Sequence, residues 1–101
     1  MNAAVFHALG DPTRLKIVSR LCRDGLQPLG HLTEGLGMSR QAATKHVRAL
    51  QGAGIVDMEP RGRECVCRLR AEQLRQAELW IAGLAAEWET RLEALKALVE
   101  S

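Results

Sequence analysis

Residues 38–63 constrain the fold more than any other part of this chain, because they place a sharply bounded amphipathic helix directly ahead of a glycine-tipped basic hairpin. The run Met38-Ser39-Arg40-Gln41-Ala42-Ala43-Thr44-Lys45-His46-Val47-Arg48-Ala49-Leu50 opens on Ser39, whose hydroxyl can accept from the orphan N–H groups of a first helical turn. Gly54 supplies a residue free to take the left-handed conformation that stops a helix. The spacing predicts a helix over residues 39–53. At 100° per residue, Ala43, Val47 and Leu50 share one face, and Gln41, Thr44, Lys45 and Arg48 gather on the opposite one. The first face packs; the second carries hydrogen-bonding groups and positive charge. Side chains of this kind suit a DNA major groove, where Gln and Arg can read base edges and Lys and Thr can also hold phosphates. Gln41, Thr44, Lys45 and Arg48 are the expected base-reading residues, with Ser39 and Arg40 near phosphate at the helix start. A solvated polar face has the same periodicity, so the neighbouring elements must decide between the two readings.

Upstream, residues 28–36 read as a short helix carrying Leu29, Leu32 and Leu36, and Gly35-Leu36-Gly37-Met38 as the turn into Ser39. Two helices joined in this way form a helix-turn-helix. Downstream, residues 55–60 and 64–69 are short extended runs joined by Arg61-Gly62-Arg63, a two-stranded antiparallel wing with an arginine on each side of its tip. Such a tip suits the minor groove, where narrow geometry concentrates negative potential. Nearer the start, Asp11 caps a scaffold helix that has Pro12 in its first turn and ends near Arg23. Its inward stripe reads Leu15, Val18, Leu21 and Cys22, and Thr13 and Arg14 at its start are secondary candidates for phosphate contact. The expected class is mainly α with a small two-stranded wing, forming a single domain over residues 1–101.

Composition excludes several function classes. No run of about 18 apolar residues is present that could span a bilayer, and Val5–Leu9 is too short to be the core of a secretory signal, so a cytoplasmic protein is expected. The net charge is only +2, so any attraction to nucleic acid must be local. Arg40, Lys45 and Arg48 stand in a segment without acids and the wing adds Arg61 and Arg63, whereas Glu72, Glu78, Glu87, Glu89, Glu93 and Glu100 fall in the last third. No glycine-rich phosphate loop and no Cys–His or Ser–His–Asp arrangement appears, so no enzyme and no cofactor are expected.

The aromatic residues bear on assembly. Phe6 lies near the start, Trp80 and Trp88 lie near the end, and no aromatic stands between. Trp80, Leu84, Trp88, Leu92, Leu95 and Val99 recur every three or four residues, which predicts one long amphipathic helix over 71–100. That stripe is too long for a small helical core to cover. The first and last helices, with Phe6, Trp80, Leu84, Trp88, Leu92 and Leu95, are therefore expected to form a homodimer surface. The alternative is that both tryptophans cover the core of a single chain.

Asp11-Pro12-Thr13-Arg14, the run from Met38-Ser39 to His46-Val47, Ala53-Gly54-Ile55-Val56 and Gly62-Arg63-Glu64 together resemble the winged-helix repressors of the ArsR family over nearly the whole chain. The tail, with Arg68-Leu69, Leu74, Trp80 and Trp88-Glu89 through Leu92-Leu95, resembles the branch whose genes neighbour small-molecule-binding or polyketide-cyclase-like proteins. The resemblance implies a homodimer that sits on an inverted repeat of double-stranded DNA and represses transcription, released by an inducer in some members.

Glu64-Cys65-Val66-Cys67 is superficially similar to the thiolate pair of the family's arsenic and cadmium sensors. In those sensors the pair lies in the helix before the recognition helix, which here reads Leu29-Gly30-His31-Leu32-Thr33-Glu34 without cysteine. Residues 71–101 hold no His, Cys or Asp, so the family's C-terminal metal site is absent as well and no metal is expected. On a strand Cys65 and Cys67 would stand about 6.6 Å apart on one face, near the upper limit for a disulfide. They read as small residues beneath the wing, and a thiol- or arsenical-responsive site is the alternative. Cys22 reads as a buried hydrophobe and His46 as a structural or phosphate-contacting imidazole. His7 and His31 have no partnered motif. A protein-interaction module that has lost DNA binding is the rival of another class.

Overall fold

The computed structural model describes residues 3–100. Helix α1 (Ala3–Leu9) passes through Gly10 and Asp11 into α2 (Pro12–Asp24). As the sequence predicts, Asp11 caps α2: its Oδ1 accepts from the N–H groups of Thr13 and Arg14 at 2.8 and 3.1 Å. Two other expectations for α2 are corrected. Leu15 is 50% exposed and Cys22 is exposed, while Ile17 and Leu21 are buried. Leu15 and Cys22 lie within about 20° of each other on the helical wheel, and Ile17 and Leu21 form a second apolar pair on another face. The core takes the second pair.

Strand β1 (Gln27–Pro28) follows, then the single turn α3 (Leu29–Leu32), shorter than the expected 28–36. Arg20 explains the early end. Its guanidinium donates to the carbonyls of Leu32 and Glu34 at 2.9 and 2.7 Å, satisfying groups that further helix would have used. Leu36, in the turn, still packs against the core.

Helix α4 (Arg40–Gly52) has the boundaries its sequence signals imply. Ser39 Oγ accepts from Ala42 N–H at 3.1 Å. At the far end Gly54, with φ +77°, donates to the Gln51 carbonyl, and Ile55 donates to the Leu50 carbonyl, both at 3.0 Å. This pair of bonds is a Schellman stop. It also withdraws Ile55 from the wing, which therefore starts one residue later than expected, as β2 (Val56–Arg61).

Strand β3 (Glu64–Leu69) pairs antiparallel with β2 from Val56↔Leu69 to Arg61↔Glu64, and Gly62 at φ +62° turns the tip. The sheet has three strands in the order β1-β3-β2, not two, because Gln27 pairs with Cys67 and Pro28 with Val66. A two-residue Gln-Pro strand has no sequence signature, and Pro is tolerated there because β1 lies at the sheet edge.

Val5, Ile17, Leu21, Leu32, Val47, Leu50, Ile55, Val56, Cys67 and Ala77 form one core beneath the helix-turn-helix. Helix α5 (Ala71–Glu100) contributes only Ala77 as a buried residue, with Leu74 packed beside it. From Glu78 onward every described residue is exposed. The thirty-residue helix projects for much of its length, about 45 Å at 1.5 Å per residue. The chain measures 69 × 25 × 22 Å with a radius of gyration of 18.4 Å, against about 13 Å for a compact chain of this size.

Two stability measurements follow from these helix ends. Gly54→Ala forces a side chain into the left-handed region and is expected to lower unfolding stability by about 1–2 kcal/mol. Gly52→Ala, at an open helical position, is expected to raise it by about 0.5–1 kcal/mol. Denaturant unfolding of both variants checks the contrast. The carboxyl of Asp11 is held below its usual range, foremost by the hydrogen bond from the Arg14 amide, with burial opposing and the Thr13 amide and the charges of His46 and Arg14 reinforcing it. Its folded value lies below its unfolded one, so its stabilisation is complete above about pH 4 and fades as pH falls through the folded value. Asp11→Asn, which keeps a capping oxygen but cannot titrate, is expected to flatten that acid loss. Urea midpoints measured between neutral pH and pH 3 test it.

Candidate nucleic-acid interface

Burial of Ala43, Val47 and Leu50 fixes which way α4 faces. Ser39, Arg40, Gln41, Lys45 and Arg48 are exposed on its other side, with Thr44 half-buried at the edge. Among the described residues, no ion pair or side-chain hydrogen bond engages the functional groups of Gln41, Lys45 or Arg48. Thr44 differs: its hydroxyl donates to the Arg40 carbonyl at 2.8 Å. The hydroxyl proton is thereby committed, so Thr44 can offer an outside partner only a lone pair and its methyl group, which suits a thymine methyl.

The wing presents its two arginines unequally. Arg61 closes β2 and leans toward Glu59, with Nη2 at 3.6 Å from Oε2. Arg63, in the tip beyond Gly62, has no such carboxylate among the described residues. Further down the wing, Arg68 and Arg70 both approach Asp57, at 2.8 and 3.7 Å, so these arginines are engaged within the wing base.

His46 is half-buried on α4, its Nδ1 at 3.9 Å from Asp11 Oδ1, so the capping carboxylate of α2 also faces the recognition helix. Arg14 is turned inward rather than outward, its Nη2 directed at the His7 carbonyl at 3.4 Å and its Nε buried. It serves the junction of α1 and α2, which leaves little of it for phosphate.

The cysteine pair is split by depth. Cys67 is fully buried opposite Gln27 and Met58, and burial, with Cys65 nearby, pushes its thiol up to about 11. Cys65 is only half-buried, opposite Pro60. Among the described residues, no three His, Cys, Asp or Glu side chains gather as a metal site would require, and no helix is long and apolar enough to cross a membrane.

Sequence reasoning missed the supports of this surface. Gln27, 6% exposed, donates to the carbonyls of Gly25 and Arg20 at 3.1 and 3.4 Å and places Oε1 at 3.2 Å from His31 Nδ1. Together with Arg20 it ties α2, β1 and α3 into one frame. A lone Gln and a lone Arg carry no periodic signal that would announce such roles.

At the other end, Phe6 stacks obliquely on Trp80 with centroids 5.4 Å apart, which docks α1 onto α5. Trp80, Leu84, Leu92 and Leu95 are between 44 and 59% exposed and Trp88 is 61% exposed, so neither tryptophan belongs to the core of a single chain.

Comparison with known proteins agrees with this geometry. A family model described as a helix-turn-helix domain matches residues 9–59. The regulator NmtR of Mycobacterium tuberculosis, an HTH-type transcriptional regulator, is 36% identical over 67 residues, covering 66% of this chain but only 55% of its own length. The chain thus spans little more than half of that relative. A solved ArsR-like transcriptional regulator from Rhodococcus sp. RHA1 is 38% identical, covers 95% of this chain and 90% of its own, and superposes with a TM-score of 0.80. The winged helix-turn-helix DNA-binding domain of Mb0332 from Mycobacterium bovis, described as homodimeric and a possible ArsR-family regulator, is 25% identical, covers 84% of this chain and 78% of its own, and has a TM-score of 0.65. With the helix-turn-helix, the wing and these relatives in agreement, the chain belongs to the ArsR family of winged helix-turn-helix transcriptional regulators.

Proposed function

We propose that this chain is a homodimeric DNA-binding transcriptional regulator, acting in the cytoplasm as a repressor on an inverted-repeat operator. The observation that carries the reading is the outward face of α4, where Gln41, Lys45 and Arg48 stand exposed and without a side-chain partner among the described residues, beside the arginine-flanked wing tip. In this reading Gln41, Thr44 and Arg48 meet base edges, Lys45, Ser39 and Arg40 meet phosphate, and Arg61 and Arg63 follow the adjoining backbone or minor groove. The relatives' description as transcriptional regulators supports it and gives no reason to look for an enzyme.

Dimerisation rests on α5. A helix whose last turns bury nothing, yet which carries Trp88, Leu92 and Leu95 along one stripe, gains stability only when a second surface covers it. A second copy is the fitting cover, since two recognition helices must reach successive major grooves roughly 34 Å apart. The homodimeric description of the Mycobacterium bovis neighbour supports the same assembly. A small-molecule inducer enters this reading through the family alone. A dithiol sensor at Cys65 and Cys67 is disfavoured by the depth of Cys67 and its raised thiol.

Titration of DNA binding against salt tests the reading, since phosphate contacts release counterions and affinity must fall linearly on a log–log plot. Gln41→Ala is expected to cost about 1–3 kcal/mol on the operator and to relax the preference at one base pair. Arg63→Ala is expected to weaken all sequences alike and to lower the salt slope by about one. Losses of the same pattern for both would contradict the assignment of roles. Trp88→Glu is expected to give a folded monomer by sedimentation and circular dichroism that no longer distinguishes operator from random DNA. A dimer that survives this change would contradict the α5 interface.

A further inference from the structure

The start of the recognition helix and the tip of the wing meet across a cleft of about 350 Å³. Its walls include Arg40 from α4, Arg63 from the wing tip, Glu64 and Cys65 from β3, and Gly30 and His31 from α3. Arg40 lies low over α3: a Cβ on Gly30 would stand 3.1 Å from Arg40 Nη2, closer than ordinary contact. The absent side chain at position 30 leaves the guanidinium its place. Neither the Arg40 nor the Arg63 guanidinium has a carboxylate or carbonyl partner among the described residues, and the two arginines line the cleft together with one carboxylate, Glu64. Planar guanidinium groups hold phosphate oxygens in pairs of parallel hydrogen bonds. A space at the small end of ligand pockets, which run from about 300 to 1,000 Å³, takes a phosphate with its adjoining sugar and little more.

We infer that this cleft is a phosphate-binding site shared between the recognition helix and the wing, with Arg40 and Arg63 closing on one phosphate group. In its DNA-bound form the inference rests on the function proposed above, and the same chemistry would accept a phosphate from either of two sources, the DNA backbone or a free phosphate. Seated there, a backbone phosphate ties wing and helix into one rigid reading head. A free phosphate would occupy the clamp that DNA needs.

A double-mutant cycle on the full chain reads the sharing directly. Arg40→Ala and Arg63→Ala are each expected to weaken operator binding about tenfold, and the double variant little more than either alone. Losses that multiply to about a hundredfold would mean two separate phosphates and would overturn the inference. Cys65 provides a second readout, because it lines the cleft while Cys67 is fully buried. In a Cys22→Ser variant the rate of Cys65 modification by a neutral alkylating reagent is followed alone, with operator DNA, or with millimolar inorganic phosphate against chloride at equal ionic strength. Slowing by DNA only identifies the backbone as the source, slowing by phosphate as well identifies a free-anion site, and slowing by neither overturns the inference. Failure of the functional reading is separate: the wild-type chain would then bind DNA without salt dependence, and phosphate protection of Cys65 would still decide whether the cleft holds phosphate.

Discussion

The rotation of α4 about its own axis is the constraint on which the rest depends. Ala43, Val47 and Leu50 are buried and α4 packs against α1, α2 and β2, and a helix whose one side is locked must present its other side in a fixed orientation. Ser39 and the Gly54–Ile55 stop set where that helix begins and ends, so the exposed row of Gln41, Lys45 and Arg48 has both a fixed azimuth and a fixed length. The wing is positioned by the same stop. Ile55 gives its N–H to α4 and its carbonyl to Arg70, at 2.7 Å, so it anchors the base of the sheet to the end of the helix. The end of the recognition helix and the base of the wing are therefore joined through one residue.

The second organising fact is the separation of stability from assembly. The core beneath the helix-turn-helix closes without most of α5, which leaves the chain through Ala77 and carries its apolar stripe into solvent. Phe6 against Trp80 is the ring contact where α1 meets that helix. In the proposed dimer, covering this stripe fixes the distance between two reading heads, so the surface that lacks a partner in one chain becomes the ruler of the pair. Charge leans the same way, since α4 carries Arg40, Lys45 and Arg48 without an acid, whereas the six glutamates of α5 outnumber Arg75, Arg91 and Lys96.

Much of this was legible in the sequence, and the failures have physical causes. Helix α4 was read almost to the residue, because Ser39, the 43/47/50 periodicity and Gly54 all state the same boundaries. The long last helix and its exposed stripe were equally plain, since a run of heptad-like apolar residues needs no tertiary context. On α2 the expected inward stripe holds at Val18 and Leu21 but fails at Leu15 and Cys22, because Ile17 offers a second apolar position beside Leu21 and only packing decides which neighbour Leu21 is buried with. The third strand and the shortened α3 were invisible because they depend on long-range partners: Gln27 on Cys67, and the carbonyls of Leu32 and Glu34 on Arg20. For the interface itself, residue types and spacing point to Gln41, Thr44, Lys45 and Arg48, whereas the back-bonded hydroxyl of Thr44 and the placing of Arg40 and Arg63 along one cleft depend on how the chain folds.

The most direct test of the account is selection of bound sequences from a pool of random duplex DNA by the wild-type chain. A dimer reading successive major grooves predicts enriched sites with two-fold symmetry, their half-sites about 10–10.5 base pairs apart centre to centre or a multiple of that spacing. Enrichment of a single asymmetric motif, or of no motif at all, would contradict it.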